Sequence, residues 1–273
     1  MKRFSNACTL FISVLFFSNL MGCSNENNPS PPNSSPTTTR TEVDFNFGWK
    51  FSQNDNKYAY QVDHADEDWR AVRLPHDWSI EKEYSEKNTA GATGYLPGGI
   101  GWYRKHFATP NGNGKTQILF DGIYNHSEIW INGHSLGKRP SGYAPFYHDL
   151  TSYLNKDGSD NVIAVFVDRT RYVDSRWYTG SGIYRNVKLI TTNKVHVPIW
   201  GTFITTPAVN NDSALVNVKT TLKNQTTRKN KITQRIEIFD PQGKSVSTKH
   251  YDLILTSNQT IELERELRVS HPQ

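Results

Sequence analysis

Three short segments of this 273-residue chain carry side chains suited to one kind of ligand. They are Leu74-Pro75-His76-Asp77-Trp78, Gly98-Gly99-Ile100-Gly101-Trp102-Tyr103-Arg104 and Arg176-Trp177-Tyr178-Thr179-Gly180-Ser181-Gly182-Ile183-Tyr184-Arg185. Each sets Trp or Tyr beside Arg, Asp or His, and two are rich in glycine. A sugar asks for such surroundings. Its C–H faces pack on aromatic rings, and its hydroxyls pair with planar, forked groups such as carboxylate and guanidinium. Glycine lets backbone approach closely and takes positive φ without strain. The competing account is that the aromatics are core and the glycines are turns. Three such segments in one chain weigh against it.

The elements that must position these segments are strands. From Val43 onward, runs of β-branched and aromatic residues alternate with Gly, Pro, Asn and Asp, and no long 3.6-residue period appears. Asp44–Phe51, Tyr103–Ala108, Gln117–Asp121, Glu128–Ile131, Asn161–Val167 and Asn186–Thr191 are expected as strands. Asn132-Gly133 signals a two-residue hairpin. The nearly unbroken apolar run at 161–167 fits a central strand buried on both faces. The pattern predicts an all-β fold: a jelly-roll sandwich over 43–193, then an immunoglobulin-like sandwich over 194–273. All seven tryptophans lie at or before Trp200, so the composition changes between the two. The second sandwich holds about five strands where such a domain takes ~7. It is expected to be incomplete, and the chain a piece of a longer protein.

The first 22 residues read as a signal peptide. Lys2 and Arg3 precede a mostly apolar stretch from Ala7 to Phe17, too short and too broken by Ser13, Ser18 and Asn19 for a membrane span of ~20 residues. Leu20-Met21-Gly22-Cys23 resembles a bacterial lipobox, so Cys23 is expected to carry lipid; an ordinary secretory signal is the alternative. Ser24 to Thr41 is almost free of apolar residues. Residues 23–42 are therefore expected to be a disordered tether, whose 18 residues from Ser24 to Thr41 would reach roughly 55 Å at ~3.1 Å per residue if extended.

Cys8 and Cys23 are the only cysteines, which leaves the mature chain without a disulfide, a thiolate nucleophile or a cysteine zinc site. The net charge of +5 falls to +3 once Lys2 and Arg3 are removed. The basic residues are scattered, apart from Arg228-Lys229-Asn230-Lys231, so no nucleic-acid partner is expected.

With Asp121-Gly122-Ile123-Tyr124 and Ile129-Trp130-Ile131-Asn132-Gly133, the three opening segments resemble the amino-terminal region of family 2 glycoside hydrolases, the bacterial β-galactosidase branch above all. The resemblance runs from about Phe45 to the end. It implies a jelly-roll sugar-binding domain, an immunoglobulin-like domain and then a catalytic TIM barrel, which this chain lacks. It also implies retaining hydrolysis of a β-glycoside by two carboxyl groups ~5–5.5 Å apart, both of them barrel glutamates in the family. Asp77, Asp121, Glu128, Asp168 and Asp174 are single acids with no reason to pair, so no catalytic residue is assigned here.

In that family a loop of the jelly roll touches the terminal sugar, which implies substrate-binding candidates. Arg176 is the first, since a guanidinium can donate two parallel hydrogen bonds to adjacent oxygens; its alternative is an ion pair with Asp174 or Asp168. Asp77 could accept from a hydroxyl, or serve a turn or cap. Trp177 and Tyr178 could form a stacking wall, or interdomain core. Trp102, Tyr103 and Trp130 are read as core. Asp174 is a candidate to help hold a cation, as related positions do in some β-galactosidases, but no full oxygen-ligand set appears and no metal is assigned.

The expectation is thus the non-catalytic front of a lipid-anchored β-galactosidase of a bacterial envelope, periplasmic or surface-exposed. Its partners would be a β-galactoside or oligosaccharide and, through Cys23, a membrane. This chain needs no cofactor; a cation in the full-length enzyme and a homo-oligomer stay open. The alternatives are a β-glucuronidase or β-mannosidase of the same family, or a stand-alone carbohydrate-binding surface lipoprotein.

Overall fold

The computed structural model describes residues 40–87, 89–171 and 175–272. Cys23, the signal segment and Asp174 lie outside the described residues. The strands of the first sandwich are β1 Arg40–Asp44, β2 Trp49–Ser52, β3 Arg70–Val72, β4 Gly99–Phe107, β5 Lys115–Phe120, β6 Ser127–Ile131, β7 His134–Arg139, β8 Phe146–Asp149, β9 Asn161–Arg169 and β10 Val187–Thr192. They form a four-stranded sheet in the order β1-β10-β5-β8 and a six-stranded sheet in the order β3-β2-β4-β9-β6-β7. The fold is all-β, with one short 3₁₀ turn at Gly91–Thr93 among the described residues.

Alternation builds the core. Trp49, Phe51, Tyr103, Ile129, Ile163, Val165 and Val167 from the larger sheet meet Ile118, Phe120, Val187 and Leu189 from the smaller one. Each such side chain contributes ~1.5–3 kcal/mol on leaving water. The outer face of the larger sheet is covered as well: Trp102 and Ala164 pack with Ala59, Tyr60, Trp69, Trp130 and Phe166. Residues 161–167 thus lie buried on both faces, as the apolar run predicts. At Asn132-Gly133 both residues take positive φ, +49° and +80°, and join β6 to β7.

The expected strand Asp44–Phe51 is instead two strands in different sheets. Asn46 breaks it: its side chain accepts from Val187 N at 2.8 Å and donates to Asn186 Oδ1 at 3.1 Å, while its carbonyl accepts from Leu74 N at 2.9 Å. The tether also ends earlier than expected. Arg40–Glu42 belong to β1, paired antiparallel with β10 from Arg40↔Thr192 to Asp44↔Lys188. Backbone pairing and the Arg40–Glu42–Lys188 charges hold this polar strand where burial cannot.

The second unit begins with β11 Val195–His196 and β12 Thr202–Val209, and continues with β13 Ser213–Asn224, β14 Asn230–Phe239, β15 Ser245–Leu255 and β16 Thr260–Ser270. β13 is central, flanked by β11 and β12 on one edge and β16 on the other, and the β14–β15 hairpin forms a second, two-stranded sheet. Val218, Leu222, Leu255 and Leu267 are among the buried residues of this unit. This is the immunoglobulin-like sandwich. Trp200, next to Gly201 at its entry, packs edge-on against Tyr147 of the jelly roll at 5.3 Å.

One charge cluster anchors the segment that covers the larger sheet. Arg104 is fully buried; its Nε donates to Asp66 Oδ2 at 2.7 Å and its Nη1 to the carbonyls of Ala59 and Gln61 at 2.6 and 2.8 Å. Lys50 and His106 also meet the Asp66 carboxylate, each at 2.9 Å. Burial alone would raise the Asp66 pKa, but the hydrogen bonds from Arg104, Lys50 and His106 outweigh it and hold the carboxyl well below the usual range. A depressed carboxyl adds stability above its unfolded pKa of ~3.9 and loses it as pH falls further. Asp66→Asn should therefore cost about 3–5 kcal/mol at neutral pH by stranding Arg104. It should also flatten the acid side of the stability curve below about pH 4. Urea melts across pH check both; an unchanged acid slope would show that Asp66 is not the group that titrates.

Candidate sugar-binding site

The three segments picked out in the sequence meet at one place. After β3 the chain runs through Leu74–Pro75, a cis peptide bond, into an extended stretch. There His76 N donates to Ile183 O at 2.9 Å and Trp78 N to Ser181 O at 3.2 Å. Trp78 stacks on Phe51 of β2 at 5.4 Å and donates its indole N–H to Gly98 O at 3.2 Å, which brings in the second segment. Ser79 Oγ lies 2.6 Å from Ser181 Oγ and donates to Pro97 O at 2.9 Å.

Asp77 is the clamp of this junction. Its Oδ1 accepts the amides of Ser79 and Ser181, each at 2.9 Å, and its Oδ2 accepts the Tyr178 hydroxyl at 2.5 Å. A carboxylate offers about four acceptor positions. Three are used among the described residues, which leaves one on Oδ2. Asp77 is half-buried. It therefore fills the turn role and keeps acceptor capacity.

Two glycines make the approach possible. Gly180 has φ +74°, and a Cβ there would stand 2.7 Å from Asp77 Oδ2. Gly182 has φ +115°, and its Cβ would fall 2.1 Å from the Tyr103 hydroxyl. No other residue fits either position without displacing its neighbour.

Behind the clamp a polar chain runs from buried Tyr103 and His76 out to exposed Glu81 and Arg70. Tyr103 OH is 2.6 Å from His76 Nδ1, and His76 Nε2 is 3.2 Å from Glu81 Oε1. Burial raises the Tyr103 pKa far above its ordinary value, so the hydroxyl keeps its proton and can donate it to Nδ1. Burial is also the largest influence on His76 and lowers its pKa, which favours the neutral ring; its Nε2 lies between Glu81 Oε1 and Arg70 Nη2, the latter at 3.0 Å. Glu81 in turn takes a two-pronged contact from Arg70 at 2.6 and 3.2 Å.

The front of the junction is aromatic and cationic. Arg176 is exposed and has no hydrogen bond or ion pair among the described residues; Asp168 instead accepts from Thr170. Trp177 is 61% and Tyr178 40% exposed, so neither is core among the described residues. Trp177 Nε1 donates to Tyr143 OH at 3.0 Å, and Tyr143 packs edge-on against Tyr124 at 5.3 Å. Burial and then the bond to Asp77 push the Tyr178 pKa up, keeping its hydroxyl a donor. Trp102, Tyr103 and the half-buried Trp130 are core, as read from the sequence.

Sequence reasoning missed Tyr143, though Ser141-Gly142-Tyr143 repeats the small-residue-and-aromatic pattern of the other segments. The arginine of the second segment, Arg104, is buried on Asp66 and loop carbonyls. No group of three or more His, Cys, Asp or Glu side chains among the described residues is arranged to hold a metal ion.

Comparison with known proteins adds the following. Residues 43–193 match the family described as glycosyl hydrolases family 2, sugar binding domain, and residues 195–273 match glycosyl hydrolases family 2. A β-galactosidase of Bacteroides ovatus is 43% identical over 243 residues, which are 88% of this chain and 28% of that protein. A family 2 member from Bacteroides cellulosilyticus superposes with a TM-score of 0.80 at 36% identity, over 85% of this chain and 31% of its own. A family 2 β-glucuronidase gives 0.80 at 27% identity, over 86% and 27%. The chain thus spans less than a third of the length of each of these proteins.

The clamp and the exposed guanidinium should respond differently to mutation. Asp77→Ala removes charge-assisted bonds from two backbone amides and should cost at least ~1.5–3 kcal/mol. Arg176→Ala should stay within ~0.5 kcal/mol of wild type. Thermal melts of both variants check this; an equally large loss in Arg176→Ala would mean that the arginine holds the loop.

Proposed function

The chain belongs to family 2 of the glycosyl hydrolases, and on that premise we propose that it is the amino-terminal part of a retaining β-galactosidase. In this reading the jelly roll supports the catalytic domain and lines the sugar site without supplying a catalytic group. The observation that carries the sugar-site role is Arg176, exposed and unpaired among the described residues, two positions before the tyrosine that holds Asp77. The β-galactoside reading draws on the Bacteroides ovatus relative.

The roles follow from the chemistry of each group. The pyranose packs a C–H face on Trp177. Arg176 donates a pair of hydrogen bonds to adjacent oxygens, and Asp77 Oδ2 accepts one hydroxyl proton. Retaining hydrolysis needs one carboxyl with a raised pKa to act as acid and another to act as nucleophile. The displaced carboxyls here, those of Glu42, Asp66, Glu81, Asp149, Asp157 and Glu237, are all displaced downward, which suits ion pairs and turns and not a general acid. The 273-residue chain is therefore expected to release no chromophore from an aryl β-galactoside above background. Turnover by purified chain would contradict the supporting role.

In the longer protein, Arg176→Ala should lower kcat/KM by roughly ten- to a hundredfold, the loss of hydrogen bonds to a charged group at ~1.4 kcal/mol per decade. Unchanged kinetics would remove this loop from the sugar site. A β-glucuronidase is the second reading, favoured by the family 2 β-glucuronidase that superposes on this chain. The ratio of kcat/KM on aryl β-galactoside and aryl β-glucuronide separates the two.

The same reading places the protein on a bacterial envelope through lipid on Cys23, supported by the Leu20-Met21-Gly22-Cys23 sequence. Cys23→Ala should move the protein from the membrane to the soluble fraction; unchanged fractionation would reject the anchor.

A further inference from the structure

Beside the edge of the six-stranded sheet lies an open groove whose volume, about 450 Å³, falls within the ~300–1,000 Å³ that ligand clefts occupy. Its floor is the Phe51–Trp78 stack, and half-buried Trp69 stands in its wall. It shares no residue with the exposed front formed by Arg176, Trp177 and Tyr178. Asp77 turns its carboxylate into the clamp, and the next residue contributes its ring to this floor.

The groove holds more donors than the protein uses. Gly98 O is approached by Gln53 Nε2 at 3.1 Å, Trp78 Nε1 at 3.2 Å and Lys82 Nζ at 2.9 Å. A carbonyl oxygen has two lone pairs, so three donors exceed its capacity. Lys82 has no other acceptor and no carboxylate partner among the described residues, although it is partly buried and burial lowers its pKa. Gln53 keeps a second N–H and its amide oxygen. Acceptors lie within the same groove: Asp68 takes no hydrogen bond from described side chains, and Glu81 has lone pairs beyond those met by Arg70 and His76.

The charges balance, with Asp68 and Glu81 against Arg70 and Lys82. A phosphate or a uronate would find no net positive field. A ligand that both donates and accepts, carries no charge and offers an apolar face matches this mixed lining. We infer that this groove is a second carbohydrate site, taking a neutral β-linked oligosaccharide with its C–H face toward Trp69 and its hydroxyls on Lys82, Gln53 and Asp68. The inference does not depend on which glycoside the parent protein cleaves.

The test uses the 273-residue chain titrated with cellotetraose and with β-1,4-galactotetraose, read on the indole N–H resonances of its seven tryptophans. The Trp78 indole, bonded to the crowded carbonyl, and the Trp69 indole should shift with at least one of the two sugars. Lys82→Met and Gln53→Ala should each weaken that binding about fivefold or more, as expected for one lost hydrogen bond, and Arg176→Ala should leave it unchanged. The unliganded indole spectrum verifies that each variant is folded, and Asp68→Asn provides a third, surface substitution with the same expected loss. No shift with either sugar would overturn the groove site, as would binding indifferent to all three groove variants. A shift confined to Trp177 and abolished by Arg176→Ala would also overturn it while leaving the first site standing.

Discussion

One carboxylate holds two distant stretches of chain in register. Asp77 accepts the amide of Ser79, two residues on, and the amide of Ser181, a hundred and four residues on. A buried backbone N–H without an acceptor costs about as much as a lost hydrogen bond, so these loops gain from being together and lose on parting. The other features follow from the closeness this imposes. Residues 180 and 182 must be glycine because the clamp and the Tyr103 hydroxyl occupy the space of a Cβ. Tyr178 must turn its hydroxyl inward, and the two residues before it, Arg176 and Trp177, are then presented outward. A rigid platform below an exposed cation and indole suits recognition of a sugar, because the ordering entropy has already been spent in folding.

The molecule uses backbone as counter-charge more than once. Arg104 is satisfied by a carboxylate and a set of loop carbonyls, and Lys105 lies on the Phe45 ring at 3.4 Å while donating to the Phe45 and Phe47 carbonyls at 3.2 and 2.7 Å. Both tie irregular segments to β4. The six-stranded sheet can thus carry long loops at its edge and on its outer face without losing their order, and the Asp77 loop is one of them.

Much of this was legible in the residues themselves. Alternation revealed the strands, the Asn132-Gly133 dipeptide revealed a hairpin, and the apolar run at 161–167 revealed a strand covered on both sides. What stayed hidden depends on partners far along the chain. Nothing near Arg40 announces its pairing with Thr192, because an edge strand is held by backbone rather than by pattern. The Asn46 side chain divides an apparent strand only because Val187 lies opposite it. Arg104 and Arg176 sit in similar aromatic, glycine-containing company, yet one is buried and one is exposed. Residue type establishes that an arginine can fork onto two oxygens, but the fold decides whether those oxygens belong to the protein or to a ligand. Residue type left Asp77 two readings, turn and hydroxyl acceptor, and the fold shows the first, with three hydrogen bonds on its carboxylate among the described residues.

Amide hydrogen exchange tests the clamp most directly, on the wild-type chain at neutral pH. If the Asp77 carboxylate holds the junction, the amides of Ser79 and Ser181 open only when the loops part. They should then share the protection of the His76 and Trp78 amides, which bond across the same junction to Ile183 and Ser181. Exchange at Ser79 and Ser181 that is orders of magnitude faster than at His76 and Trp78 would contradict the account, since the loops would then be held together without the carboxylate.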